Sequence, residues 1–224
     1  MTTTVPPAPL AVSEHAAAAE EPPFSQVLRE ATQRAHTEAE SASFVHRLMA
    51  GELDARAYAR LAAQLYPVYE ALECSTASDP VRERFADPRL RRLPALERDL
   101  AHLIGPDWRS KEPVLPAARA YAEHVASISH STPAFVGHHY TRYLGDLSGG
   151  QVVARKVSQH YGLREGEPGL LFYRFDGIPK PKLFKDDYRH ALDVAPWDGR
   201  ERAEVIAEAT RAFAMNAAIF ASLS

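Results

Sequence analysis

Three glycines in the middle of one helical pattern limit what this chain can fold into. From Thr132 to Tyr161, TPAFVGHHYTRYLGDLSGGQVVARKVSQHY, apolar and aromatic residues recur at helical spacing through Phe135, Tyr140, Tyr143, Leu144 and Leu147, and again through Val152, Val153 and Val157. That spacing predicts one long helix. Thr132 stands where a cap belongs, Pro133 suits the first turn and Gly162 marks the stop. Yet Gly145, Gly149 and Gly150 lie inside it. An interior glycine costs about 1 kcal/mol relative to alanine, so the three forgo roughly 3 kcal/mol, a sizeable part of a domain's net stability. Something must compensate. Glycines four apart bare a strip of backbone to a flat ligand or to another helix, and the Gly149–Gly150 pair permits a kink. Tight helix packing accounts for the spacing as well. Asp146 weighs against packing alone, because a carboxyl beside those glycines in an apolar helix needs water or a donor.

A second stretch carries a histidine in a chemically suggestive setting. The first helix is expected to start at Ser25 as its cap and to run past Glu40, with Leu28, Ala31, Thr32, Ala35 and Ala39 inward. His36 lies in that stripe, and on spacing alone a satisfied core histidine explains it better than a metal ligand. Its neighbours favour the ligand. Glu40, one turn on, is placed to accept the second ring N–H and orient the imidazole, as metal-bound histidines require. Arg29 lies two turns back on the same side, about 10 Å along the axis, so one helix face carries both a candidate metal ligand and a cation.

The chain of 224 residues reads as one all-α domain, 24–224, after a disordered tail, 1–23, rich in Ala, Pro and Thr. Net charge is -3, and no Lys/Arg cluster interleaves with aromatics, which excludes nucleic acid as a partner. The single cysteine, Cys74, fits a reducing cytoplasm and reads as a small core residue. No apolar run reaches the ~20 residues of a membrane span, and the tail lacks the basic start and apolar stretch of a secretion signal.

Asp54 caps a helix with Tyr58, Leu61, Leu65, Tyr69 and Leu72 as core, its tyrosines read as packing and Pro67 as a bend. Arginine-rich residues from Pro80 to Leu93 read as a solvated connection or brief helix. Leu96, Leu100 and Leu103 mark another helix ended by Gly105, and Pro116 opens the next, with Ala120, Tyr121, Val125 and Ile128 inward. His102, His124 and His130 show no ligand spacing. His138 and His139 point about 100° apart, so both cannot face one metal; His138 reads as an internal hydrogen-bonding residue. The Gly/Pro-rich passage after Gly162, with Phe172 and Phe175, is too irregular for a long element and reads as the cover of a pocket edge. Lys180, Lys185 and Arg189 surround the next helix, for which a solvated basic face is the simplest reading. Asp198 caps the last helix, with Ile206, Thr210, Phe213, Ala217 and Phe220 inward and Phe213 a possible pocket wall.

Two of these runs, LREATQRAHTEAE and HHYTRYLGDLSGGQV, resemble the proximal and distal helices of haem oxygenases, and the similarity runs from Phe24 to Leu223. The resemblance implies an all-α fold holding haem, at once substrate and cofactor, between His36 as axial iron ligand and the Gly145, Gly149 and Gly150 backbone over the face where oxygen binds. It implies that Glu40 touches His36, that Asp146 holds a water network beside the oxygen, and that Arg29, Tyr140, Lys180, Lys185 and Arg189 lie on the propionate side. At the Arg29 position relatives usually carry lysine; arginine keeps the charge and changes the hydrogen-bond geometry. The implied reaction cleaves haem at the α-meso carbon to biliverdin, ferrous iron and carbon monoxide, using O2. No glycine-rich strand–helix motif for a flavin or nicotinamide occurs, so electrons must come from a separate donor, a ferredoxin with its reductase or a flavoprotein reductase, docked on basic surface near the haem edge. Two alternatives remain at this point: a haem carrier or sensor using the same ligand without chemistry, and a haem-free relative of the same fold, such as a thiamin-degrading enzyme.

Overall fold

The capping chemistry that the sequence announces is largely realised in the computed structural model, which describes residues 21–75 and 79–224. Asp54 accepts a hydrogen bond from the Ala57 N–H at 2.8 Å and opens α3, Ala55–Glu73, with Pro67 inside it. Asp198 and Glu201 form a reciprocal capping box at the start of α10, Gly199–Ser222. Two caps differ from expectation. The first helix, α1 (Phe24–Glu40), starts one residue before Ser25, whose N–H and hydroxyl instead bond Asp193 at 2.7 and 3.2 Å. A carboxylate from another helix thus satisfies a first-turn donor. At α7 (Thr132–His139) the cap is Ser131, and Thr132 bonds Asp79.

Among the described residues there are ten α-helical segments and no strand. The others are α2 (Ser43–Ala50), α4 (Leu93–Leu103), α5 (Trp108–Lys111), α6 (Pro116–Ser127), α8 (Gly149–Tyr161) and α9 (Pro181–Val194). The short α2 was not anticipated; it closes on Gly51 in the left-handed conformation, φ 74°. Residues 1–20 of the expected tail lie outside the described residues.

At the centre, α3 buries Tyr58, Leu61, Leu65, Val68, Tyr69 and Leu72 against α4 and α6, and α10 packs along α1, α6 and α7. Gly137 explains one close crossing. A Cβ there would lie 2.7 Å from the Val205 carbonyl and 2.8 Å from the Ala209 nitrogen, so only glycine lets α7 approach α10. The stripe predicted for α10 is rotated by one position. Val205, Ala209, Ala212, Asn216 and Ile219 are buried, whereas Ile206, Phe213, Ala217 and Phe220 are half-buried and Thr210 is exposed. Ala31 in α1 is likewise exposed.

Cys74 is also exposed, not core, because α3 ends at Glu73 and the chain turns outward. The arginine-rich segment after Pro80 forms two single 3-10 turns and is not simply solvated. Arg82 is buried, bonds the Ser129 carbonyl at 2.6 Å and stacks 3.5 Å above the Phe135 ring. Arg92 donates to the Phe172 and Arg174 carbonyls at 3.1 and 2.6 Å. From the other side, buried Asp99 accepts the N–H groups of Gly169, Leu171 and Phe172 at 2.7–3.0 Å. The irregular passage after Gly162 is therefore held by side chains of α4 and the turn before it, which supply the partners that a helix would supply to itself.

Candidate functional site

The predicted long helix from Thr132 to Tyr161 is divided. α7 passes into a π-helical turn, Tyr140–Leu144, and α8 begins only at Gly149 after a break at Leu147–Ser148. Thr141 explains part of this: its hydroxyl bonds the Gly137 carbonyl at 3.0 Å and the Ala209 carbonyl at 3.3 Å, competing with the regular helical ladder. Widened turns of this kind gather at functional sites. The break leaves two of the three glycines bare. A Cβ at Gly145 or Gly149 would meet nothing within 4 Å, so their backbone faces open space. Gly150 departs from its expected ligand role. A Cβ there would lie 3.0 Å from the Tyr173 ring, so this glycine serves packing against the irregular passage.

Beside the bare backbone sits a buried polar network that sequence reasoning saw only in part. Tyr69 donates its hydroxyl proton to Asp146 Oδ2 and accepts bonds from Arg142 Nε and Nη2 at 3.1 and 2.9 Å. Arg142 also stands 3.6 Å from Asp146 Oδ1 and donates to Asn216 at 2.7 Å. Burial pushes the Asp146 carboxyl above its ordinary value, opposed by the Arg142 charge, the Tyr69 hydrogen bond and Arg92. Tyr69, read from sequence as packing, is thus a partner of the acid. Arg142 lies four residues before Asp146 on the same helix face, a signal that was available; Tyr69 and Asn216 come from other helices and carried none.

On α1, His36 is half-exposed and its ring meets Phe213 edge-on, centroids 5.4 Å apart. Its Nδ1 is buried without a made hydrogen bond, 3.4 Å from Glu40 Oε2. A carboxylate on the Nδ1 side leaves Nε2 as the ring atom that could take a metal. The Tyr140 hydroxyl, shifted up by burial, is held down by the nearby charges of Arg189 and Arg29, which make a cationic corner. Lys185 reaches across to donate to Ser148 at the helix break, 2.7 Å, and burial lowers its ammonium from the ordinary value. Lys180 is exposed just ahead of α9. An imidazole with an oriented free nitrogen, a bare backbone strip and a cationic corner are the donor set and shape that a haem would need, and the residues present fit it.

Comparison with known proteins agrees with this geometry. The family model described as "Heme oxygenase" matches residues 22–222. The chain belongs to the haem oxygenase family. Among haem oxygenases, "Heme oxygenase 1" of Synechocystis sp. is 36% identical over 200 residues, covering 88% of this chain and 82% of that protein. The enzyme of the alga Pyropia yezoensis is 37% identical over 201 residues, 88% and 84% of the two chains. The crystal structure of the Synechocystis haem oxygenase-1 in complex with haem superposes with a TM-score of 0.84 at 34% identity, over 91% of this chain and 93% of that one. The haem oxygenase structure from Leptospira interrogans gives 0.84 at 34% identity, over 90% and 100%.

Elsewhere in this haem oxygenase, His138 is a buried hydrogen-bonding residue as expected, bonded to Glu208 at 2.9 Å. His124, dismissed for lack of ligand spacing, joins the same carboxylate at 2.7 Å. His139 bonds the Tyr188 hydroxyl at 2.9 Å, and burial, reinforced by Arg82, depresses its imidazole to about 3.

Proposed function

We propose that this chain cleaves haem at the α-meso carbon to biliverdin, ferrous iron and carbon monoxide, in the cytoplasm, with O2 and electrons from a separate ferredoxin or flavoprotein reductase. The observation that carries this reading is the Asp146 carboxylate, fixed by Tyr69 and Arg142 beside the bare backbone of Gly145 and Gly149. A haem carrier has no use for a buried, expensive ion pair at that place.

Haem, when bound, supplies both the oxygen-activating iron and the carbon that is oxidised. His36 would hold it through Nε2, with Glu40, 3.4 Å from Nδ1, placed to orient the ring. Arg29, Tyr140, Lys185 and Arg189 bind the two propionates and set the rotational position, with Lys180 adding charge nearby. Gly145 and Gly149 would let the backbone approach a bound haem closely, because neither presents a side chain to the open space beside it. Asp146, oriented by Tyr69 and Arg142, would accept hydrogen bonds from water beside the bare backbone and so organise proton delivery through it. No distal imidazole stands among these groups, and the Arg142 guanidinium is engaged by Tyr69 and Asn216. The exposed basic face around Lys180 and Lys182 is the docking ground for the electron donor.

The test is turnover: the haem-loaded protein given reductant, a redox partner and air should lose its haem absorption and release biliverdin. Recovery of unchanged haem after many equivalents of reductant would make the protein a carrier.

A further inference from the structure

We propose that His124, His138 and Glu208 form a binding site for one divalent transition cation, separate from the haem cleft. Each donor comes from a different helix, α6, α7 and α10, and their ligand atoms all lie within 4.8 Å of one another. Glu208 Oε2 is 2.7 Å from His124 Nε2 and 2.9 Å from His138 Nε2. Two imidazoles and a carboxylate are the three-ligand set of zinc centres that keep a fourth position open.

The surroundings supply what such a centre needs. Tyr121 OH lies 3.3 Å from His138 Nδ1, a partner able to hold the ring proton on that nitrogen once a metal replaces the hydrogen bond that Nε2 now makes to Glu208. Arg211 Nε stands 3.3 Å from Glu208 Oε1, so the carboxylate presents one oxygen to the shared point. His138 is fully buried whereas His124 is partly exposed, so an ion and its water have a way in from the α6 side.

Metal bonds near 2.0–2.2 Å at tetrahedral angles separate donors by about 3.3 Å, so the two short contacts need open by only about half an ångström. Phe213, which touches His36, lies five residues beyond Glu208 and about 140° round the α10 axis, which keeps the two sites apart. The cation would tie α6 and α10 to the root of the segment that carries Asp146.

The experiment strips the full chain with chelator, titrates it with zinc chloride by calorimetry, and repeats the titration with cobalt(II) by visible absorption. Expected are one ion per chain at micromolar affinity or tighter, an intense cobalt spectrum typical of low coordination, and a raised Tm. His124→Ala, at the exposed side, should weaken zinc by more than about 100-fold, beyond what loss of an outer-shell partner costs. Glu208→Gln, checked for native circular dichroism, should do the same, while His36→Ala should leave the stoichiometry at one. Binding no tighter than millimolar, or binding that survives both His124→Ala and Glu208→Gln, overturns the site. Binding lost only in His36→Ala assigns the ion to the haem ligand and overturns it equally.

Discussion

At the scale of single residues, the chemistry turns on which buried groups hold protons. The Tyr69 hydroxyl is the junction of the distal network, since it donates to Asp146 and accepts twice from Arg142. Tyr69→Phe leaves two ionised groups short of a partner, so unfolding free energy should fall by about 1–3 kcal/mol. Haem should still bind, because His36 and the cationic corner are untouched, but biliverdin formation should slow severalfold or more. A Tyr69→Phe protein with normal turnover would show that Asp146 works without its donor. His36→Ala should remove the axial ligand, and free imidazole should restore the haem spectrum; a spectrum unchanged in the variant without imidazole would refute the ligand assignment. His139 sets a pH dependence. Its folded-state value, about 3, lies below the ordinary 6.5, so between these values the unfolded chain binds the extra proton. Stability from this group is complete above pH 6.5 and declines as pH falls, by about 1.4 kcal/mol per unit in mid-range. His139→Phe should flatten that acid limb of the denaturant midpoint between pH 6.5 and 5, though loss of the Tyr188 contact lowers the whole curve. An acid limb as steep as the parent's would assign the dependence to other groups.

At the scale of elements, the glycines of the α7–α8 segment divide by what surrounds them, and substitution with alanine separates them. Gly149 opens α8 and has no atom within 4 Å of a built Cβ, so Gly149→Ala should stabilise the haem-free protein by up to about 1 kcal/mol. The same methyl should reduce haem degradation, because it stands on the bare strip. Gly137→Ala meets backbone atoms of α10 at 2.7 and 2.8 Å and should destabilise by about 1–3 kcal/mol, as overpacking does. Thermal denaturation of the two variants moving in the same direction would contradict this division.

The same segment marks how far the sequence could be read. Its glycines, Asp146 and the His36–Glu40 pair were legible because each lies at a fixed spacing on one helix, and capping at Asp54 and Asp198 is equally local. The π-helical turn was not legible, since it depends on Thr141 bonding a carbonyl of α10. Nor were Tyr69 and Asn216 as partners of the acid, or His124 as a neighbour of His138, because tertiary packing alone brings them together. Gly150 shows the converse: its motif position suggested a ligand face, and Tyr173, from a passage with no periodicity, decided otherwise.

At the scale of the whole molecule, the cationic groups are set asymmetrically around the proposed cleft, and that asymmetry yields a prediction about the product rather than the rate. Arg29 and Arg189 share the Tyr140 corner, whereas Lys185 is tied to Ser148 at the helix break, so α9 bridges from the corner to the distal glycines. A haem has two carboxylates on one edge, and its four meso carbons differ in reactivity here only through which of them lies beneath the distal backbone. Charged contacts at a solvent-facing rim contribute little energy, about 0–1 kcal/mol each, yet they fix direction. Replacing Lys185 and Arg189 together by glutamine should therefore leave haem affinity within about tenfold, or 1.4 kcal/mol, while letting the ring turn. Chromatography of the biliverdin should then show other meso isomers beside the α form. Pure α product from this double variant would mean that the apolar walls, Phe213 among them, hold the ring in place, and that the cations of α9 serve the electron donor alone.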